Sequence, residues 1–219
     1  MAKDITAAKE RAVDRLKSSL ERARVLHSRA VVAGRWTNPQ NVVVPFSNPD
    51  KRDLTEFIFF ESAAAFEHFC QQAFVLAARS RFSVQPRFWE HIVGHGDSGL
   101  DRVMGWGAPQ NLVFRARALF GKRHFFARLR DNLPQDVYEW LTYAHRVRNR
   151  IAHPGGQAAA QTNKLLGNLG VPAASRKGIS MGRLLLEYPV NAAANNRWFY
   201  RFIQAYEETA NLVYRRIRA

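Results

Sequence analysis

With 33 Lys and Arg against 18 Asp and Glu in 219 residues, the chain carries a formal net charge of +15. It is long enough to bury a core as one domain and basic enough to seek polyanions. Most of that charge is arginine, whose planar fork suits bidentate phosphate contacts, so nucleic acid leads among the ligand classes. The lone Cys70 excludes an intrachain disulfide, the charged N-terminus lacks a secretory signal, and no run approaches the roughly 20 apolar residues that cross a bilayer. The expectation is a soluble, cytoplasmic chain without a membrane partner.

Residues 3–33 read as a charged helix, with Ile5, Ala8, Ala12, Leu16, Leu20, Ala23 and Leu26 spaced three or four apart and Gly34 just beyond. The stretch "RWTNPQNVVVPFSNPD" holds three prolines and reads as an extended connector, with Val42 to Val44 lying against the core. From about Asp50 to Phe82 a second long helix has apolar residues almost all round it, as a central helix of a bundle should. One polar stripe interrupts it. Glu61, His68, Gln72 and Arg79 fall within about 40° of each other, which suits either a solvent-facing line or a functional groove.

Glycines and a proline make residues 86–110 a loop or broken helix. Asn111 is a candidate cap for a helix running to about Arg130 and interrupted at Gly121. Asn132 is a candidate cap for the clearest amphipathic helix, where Val137, Trp140, Leu141, Ala144, Val147 and Ile151 recur at three and four before "HPGG" ends it. Residues 154–195 read as a long irregular insertion, and a helix over 196–218 closes the chain. The fold class is therefore all-α, a bundle of about five helices with no strand pattern able to build a sheet. The chain reads as a single helical domain, in which 1–49 form the N-terminal helix and connector and 50–219 the core.

The chemistry concentrates in "RNRIAHPGG" at the end of the amphipathic helix. Arg148 falls about 40° from the centre of the apolar stripe, where an unpaired guanidinium is costly. It therefore needs a buried carboxylate or a face open to an anion. Asn149 and His153 are four apart and share a face, whereas His153 lies about 140° from Arg148 on an ideal helix. For the two to converge, the helix must distort at "AHPGG" or the arginine must wrap round. The helix carbonyl end favours a protonated imidazole, and Arg146, Arg148 and Arg150 disfavour it. A histidine so balanced can move a proton while arginines hold a phosphate. As bare spacing, the same turn also suits a C-terminal cap among solvated arginines.

"RNRIAH" resembles the Arg-x4-6-His motif of the HEPN superfamily of small α-helical domains, including the polar residue, Asn149, directly after the arginine. A long preceding helix with "FFESAAAFEHF" and an aromatic closing helix extend the likeness over most of residues 50–218, nearest to the RiboL-PSP-like branch. The resemblance implies a metal-independent endoribonuclease of antiphage defence or a toxin–antitoxin system, with no cofactor and no metal. Attack by the RNA 2′-hydroxyl leaves a 2′,3′-cyclic phosphate and a 5′-hydroxyl. It further implies a homodimer with a composite site, and an antitoxin or sensor protein as partner. Arg148 and His153 are then catalytic, Asn149 orients the phosphate or His153, and Glu61 or His68 completes the site. Some superfamily toxins carry a tyrosine two residues after the histidine as a modification target; Gly155 stands there in this chain.

Arg146 just before the motif and Arg150 within it are further RNA contacts, and Arg123 belongs to the basic segment "RARALFGKRHFFARLR". There arginines alternate with Phe120, Phe125 and Phe126, a pattern that suits either a core or a grip on single strands. From Asn111 to His153, nine Lys and Arg face only Asp131, Asp136 and Glu139. "GDSG" at 96–99 lacks the β-barrels that would position a protease serine. His91, His95 and Asp97 have metal-ligand spacing, but Gly94 and Gly96 interrupt the helix this needs. The rival readings are a non-catalytic module binding RNA or protein, and a DNA-binding regulator, for which no helix-turn-helix is visible.

Overall fold

The computed structural model describes residues 2–37, 39–82, 105–153, 156–190 and 197–216. The fold is all-α: α1 (Ala2–Leu26), α2 (Asn48–Arg81), α3 (Pro109–Phe120), α4 (Leu129–Asn132), α5 (Gln135–Ala152), α6 (Gly156–Asn168), α7 (Met181–Glu187) and α8 (Trp198–Arg216). Eight α-helices among the described residues replace the expected five or so, the additional ones being α4, α6 and α7. No described helix is long and apolar enough to cross a membrane.

Local chemistry sets the helix boundaries. At the start of α2, Ser47 and Asp50 form a reciprocal capping box. The Ser47 N–H and hydroxyl donate to Asp50 Oδ2 at 2.9 and 2.6 Å, and the Asp50 N–H donates to Ser47 Oγ at 3.3 Å. These bonds hold the Asp50 carboxyl below its ordinary range. At α3 the cap position is Ala108 and not Asn111, because Pro109 supplies a pre-formed first turn. Asn111 instead donates to the Gly105 carbonyl at 3.4 Å. Gly121, at φ +83°, ends α3 as expected. Asn132 caps nothing downstream: its amide donates to the carbonyls of Phe125 and Arg128 at 3.1 and 2.9 Å, closing the turn before α5.

Two further expectations are corrected. The 154–195 segment is largely helical where it is described. Alanine-rich "QAAAQ" favours the start of α6, and burial of Leu165, Leu166 and Leu169 secures its end. Gly170, at φ +76°, stops it while the Val171 N–H reaches back to the Leu166 carbonyl at 2.9 Å. Ser180 then caps α7 by accepting from the Arg183 N–H at 3.1 Å. The connector, for its part, does not lie on the core. Val42 and Val43 are 53% and 60% exposed, and β1 (Arg35–Thr37) pairs antiparallel with β2 (Val43–Pro45), which satisfies the backbone there. A ladder of three residues is too short to leave an alternating signature.

The chain forms two units, and α1, α2, α5 and α8 contribute residues to both. The first comprises Met1–Ser18, Ala64–Thr142 and Ala205–Ala219. Its core is aromatic: Phe66 stacks on Tyr206 at 4.3 Å between centroids, and Phe74 meets Trp106, Phe120 and Phe126 at 5.3, 4.9 and 5.7 Å. The second comprises Ser19–Ala63 and Tyr143–Gln204. There Phe202 meets Phe59 at 5.7 Å and Trp198 at 5.4 Å. In the same unit α7 lies directly on the α2 backbone. A Cβ at Gly182 would come within 2.2 Å of the Arg52 carbonyl oxygen, and the Gly182 N–H donates to Glu56 Oε1 at 2.6 Å.

α1 continues as a π-helical turn, His27–Val32, which buries His27 in the second unit. The Thr55 hydroxyl donates to the Lys51 carbonyl at 2.7 Å, so its oxygen accepts from His27 Nε2–H at 3.4 Å. That leaves His27 Nδ1 to accept from the Tyr200 hydroxyl at 3.0 Å, while the ring stacks on Phe199 at 4.1 Å. Burial lowers the His27 pKa from 6.5 to about 4. The unfolded chain binds this proton more readily, so the contribution is complete above pH 6.5 and is lost as pH falls towards 4. Between pH 7 and pH 4 the wild type should lose about 3 kcal/mol more unfolding free energy than His27→Gln, measured by denaturant titration. Equal losses in the two proteins would refute the neutral, buried state of His27.

Candidate functional site

α5 buries Val137, Leu141, Ala144 and Val147, each at most 1% exposed, as the stripe predicts. Arg148 follows immediately and is half-buried. Its guanidinium carbon lies 5.2 Å from the centroid of Phe60 on α2, a cation–π contact that accommodates the charge beside the core. Arg148 Nη1 also donates to Asn149 Oδ1 at 3.4 Å.

The other end of the Asn149 amide lies 3.0 Å from His145 Nε2. With Oδ1 accepting from Arg148, the amide nitrogen is the donor and His145 Nε2 the acceptor. The result is a relay from Arg148 through Asn149 to His145. Burial, with Arg148 and Arg146 adding to the effect, lowers the His145 pKa from 6.5 to about 4, so the ring is neutral at physiological pH. His145 was absent from the sequence-based candidates. Its signal was legible, since it stands four residues before Asn149 and three before Arg148, both neighbours on a helix.

His153 is exposed, and its N–H donates to the Asn149 carbonyl at 2.9 Å. That is the ordinary i→i−4 bond, so the helix is undistorted up to this residue. The expected distortion is therefore absent through His153, while Pro154 and Gly155 lie outside the described residues. Counting at 100° per residue, His153 lies about 20° from Arg146 and about 60° from Arg150, but about 140° from Arg148. Arg146 is exposed and Arg150 half-buried. The face of His153 is thus shared with Arg146, Arg150 and Asn149, and Arg148 occupies another flank.

Glu61 follows Phe60 on α2, is exposed, and makes no hydrogen bond or ion pair with a described residue. His68 and Arg123 belong to the first unit. There His68 Nε2 pairs with the Gln72 amide at 2.9 Å on the exposed stripe, and Arg123 lines a cavity with Arg81, His124 and Phe125. His91, His95, Asp97 and the "GDSG" stretch lie outside the described residues. Among the described residues, no three His, Cys, Asp or Glu side chains are grouped to hold a metal ion. Cys70 is buried, which pushes its thiol pKa well up and leaves it inert.

The relay makes a spectroscopic prediction. In a histidine NMR titration of the wild type, His145 should titrate near 4. Asn149→Asp places a carboxylate against the ring and should raise that value by about one pH unit or more. A wild-type His145 that titrates in the ordinary histidine range would sink the relay. No family model, no curated protein and no solved structure matches this chain.

Proposed function

We propose that the chain is a metal-independent endoribonuclease of the HEPN type that acts as a homodimer. The observation that carries this reading is the exposed imidazole of His153 on the same helix face as Arg146 and Arg150, in a chain of net charge +15. RNA carries its own nucleophile. In the proposed step the 2′-hydroxyl oxygen bonds to phosphorus and the bond from phosphorus to the 5′-oxygen breaks. One His153 accepts the 2′-hydroxyl proton, and a protonated His153 from a second copy supplies a proton to the departing 5′-oxygen. Arg146 and Arg150 neutralise the charge that builds on the non-bridging oxygens.

Arg148 acts here as a positioning residue. Its contacts with Phe60 and Asn149 fix the helix end that presents His153. Glu61, exposed on α2, is assigned no step. The resemblance places such an activity in antiphage defence or a toxin–antitoxin system, under an antitoxin or sensor protein.

The test is incubation of purified protein with total RNA, followed by mapping of new 5′-hydroxyl ends. Wild type should cleave equally well with and without EDTA, and the upstream fragments should end in 2′,3′-cyclic phosphate. His153→Ala should lower the rate by about 100-fold or more. Arg148→Ala should reduce kcat with little change in KM, because it disturbs alignment and not phosphate binding, and Arg148→Lys should restore only part of the rate. Salt-sensitive RNA binding without cyclic-phosphate products would establish instead a non-catalytic RNA-binding module.

A further inference from the structure

In the first unit, Arg81, Phe120, Arg123, His124, Phe125, Arg215 and Arg216 line a cavity of about 610 Å³. That volume falls within the roughly 300–1,000 Å³ of small-molecule sites. Its four arginines are exposed, and none forms an ion pair or hydrogen bond with a described residue. Among the described residues, no carboxylate lines the cavity.

The positions of these residues in the fold explain how such a concentration of charge is tolerated. Arg81 and Phe120 are the last residues of α2 and α3, so two helix C-termini lie at the cavity, and Arg215 and Arg216 come from the last described turn of α8. Each of the two C-termini supplies roughly half a negative charge, which offsets well under half of the four guanidinium charges. Among the described lining residues the excess is positive, which suits an anion. His124 does not add to it. Burial, assisted by Arg81, lowers the His124 pKa from 6.5 to about 4, and its Nδ1 accepts from the Phe126 N–H at 3.3 Å. The neutral ring lies 4.2 Å from Phe120 and 5.1 Å from Phe125, so an aromatic wall stands beside the cations.

A single phosphodiester brings one negative charge per nucleotide, far less than four arginines can neutralise, whereas a polyphosphate matches them. We propose that this cavity binds a nucleoside 5′-polyphosphate, with the phosphates among Arg81, Arg123, Arg215 and Arg216 and the base against Phe125 and His124. The group is carried either by a free nucleotide or by the triphosphorylated end of an RNA chain. The proposal is independent of RNA cleavage at His153.

Calorimetric titration of the full chain tests it, in a His153→Ala background so that RNA probes stay intact. The probes are ATP, adenosine, inorganic tripolyphosphate, and one short RNA oligonucleotide carrying either a 5′-triphosphate or a 5′-hydroxyl. ATP should bind much more tightly than adenosine. Arg123→Ala and Arg216→Ala should each weaken ATP by about tenfold or more. Arg35→Ala, which removes an equal charge on the exposed hairpin, should cost less than about twofold. Phe125→Ala should weaken ATP but leave tripolyphosphate unchanged. Tighter binding of the triphosphorylated oligonucleotide than of ATP identifies a chain end as the source, and the reverse identifies a free nucleotide. Equal losses in the Arg123, Arg216 and Arg35 variants would overturn the site. So would a 5′-hydroxyl oligonucleotide that binds as tightly as its triphosphorylated counterpart.

Discussion

One backbone bond decides which side chains can act together at the end of α5. Because the His153 N–H still reaches the Asn149 carbonyl, the helix keeps its pitch to that residue, and pitch fixes direction. Arg146, Asn149, Arg150 and His153 are gathered on one face, and Arg148 is turned towards α2. An arginine next to Val147 has its stem at the edge of the core, so its charge must be met locally. Phe60 and the Asn149 amide meet it, and the same amide then fixes His145. The sequence motif is thereby divided into an exposed imidazole with two arginines and a half-buried relay behind it.

The same electrostatic logic recurs through the chain. His27, His124 and His145 are each held to about 4 chiefly by burial, so a strongly basic protein does not add to its charge with these rings at neutral pH. At His124 and His145 nearby arginines reinforce that effect. Neutral imidazoles can then serve as hydrogen-bond acceptors and stacking surfaces, as His27 does for Tyr200 and Phe199. Arginine excess and histidine neutrality are thus coupled: each guanidinium raises the cost of protonating a ring beside it.

The all-α class was legible in the sequence because long stretches repeat apolar residues at three and four, and of the residues this spacing selects on α5, Val137, Leu141, Ala144 and Val147 are buried while Trp140 and Ile151 are half-buried. What escaped was decided by context. The glycines and asparagines around 156–168 read as breakers, yet the alanines and a buried leucine pair outweighed them. Asn111 and Asn132 have the chemistry of caps, but Pro109 and the Phe126–Arg128 turn had already fixed the backbone. The arginine cavity could not be read along the chain at all, since its lining comes from residues 81, 120, 123–125 and 215–216. At the motif, helical arithmetic already opposed the convergence of Arg148 with His153.

That arithmetic also bears on why a second copy of the chain is needed on the proposed reading. Transfer of the phosphoryl linkage to the 2′-oxygen requires a base on the side of attack and an acid on the side of departure, opposite one another across phosphorus. On the described face of α5 one chain offers a single exposed imidazole, while His145 is half-buried, neutral and already bonded to Asn149. A monomer would have to use His153 for both transfers, from two positions that no rotation about its side chain can serve within one in-line step. Two chains whose α5 ends face each other supply two imidazoles and four arginines from Arg146 and Arg150. On that reading the symmetry that brings the histidines together would also bring the cations together, and a phosphate between them would relieve that repulsion.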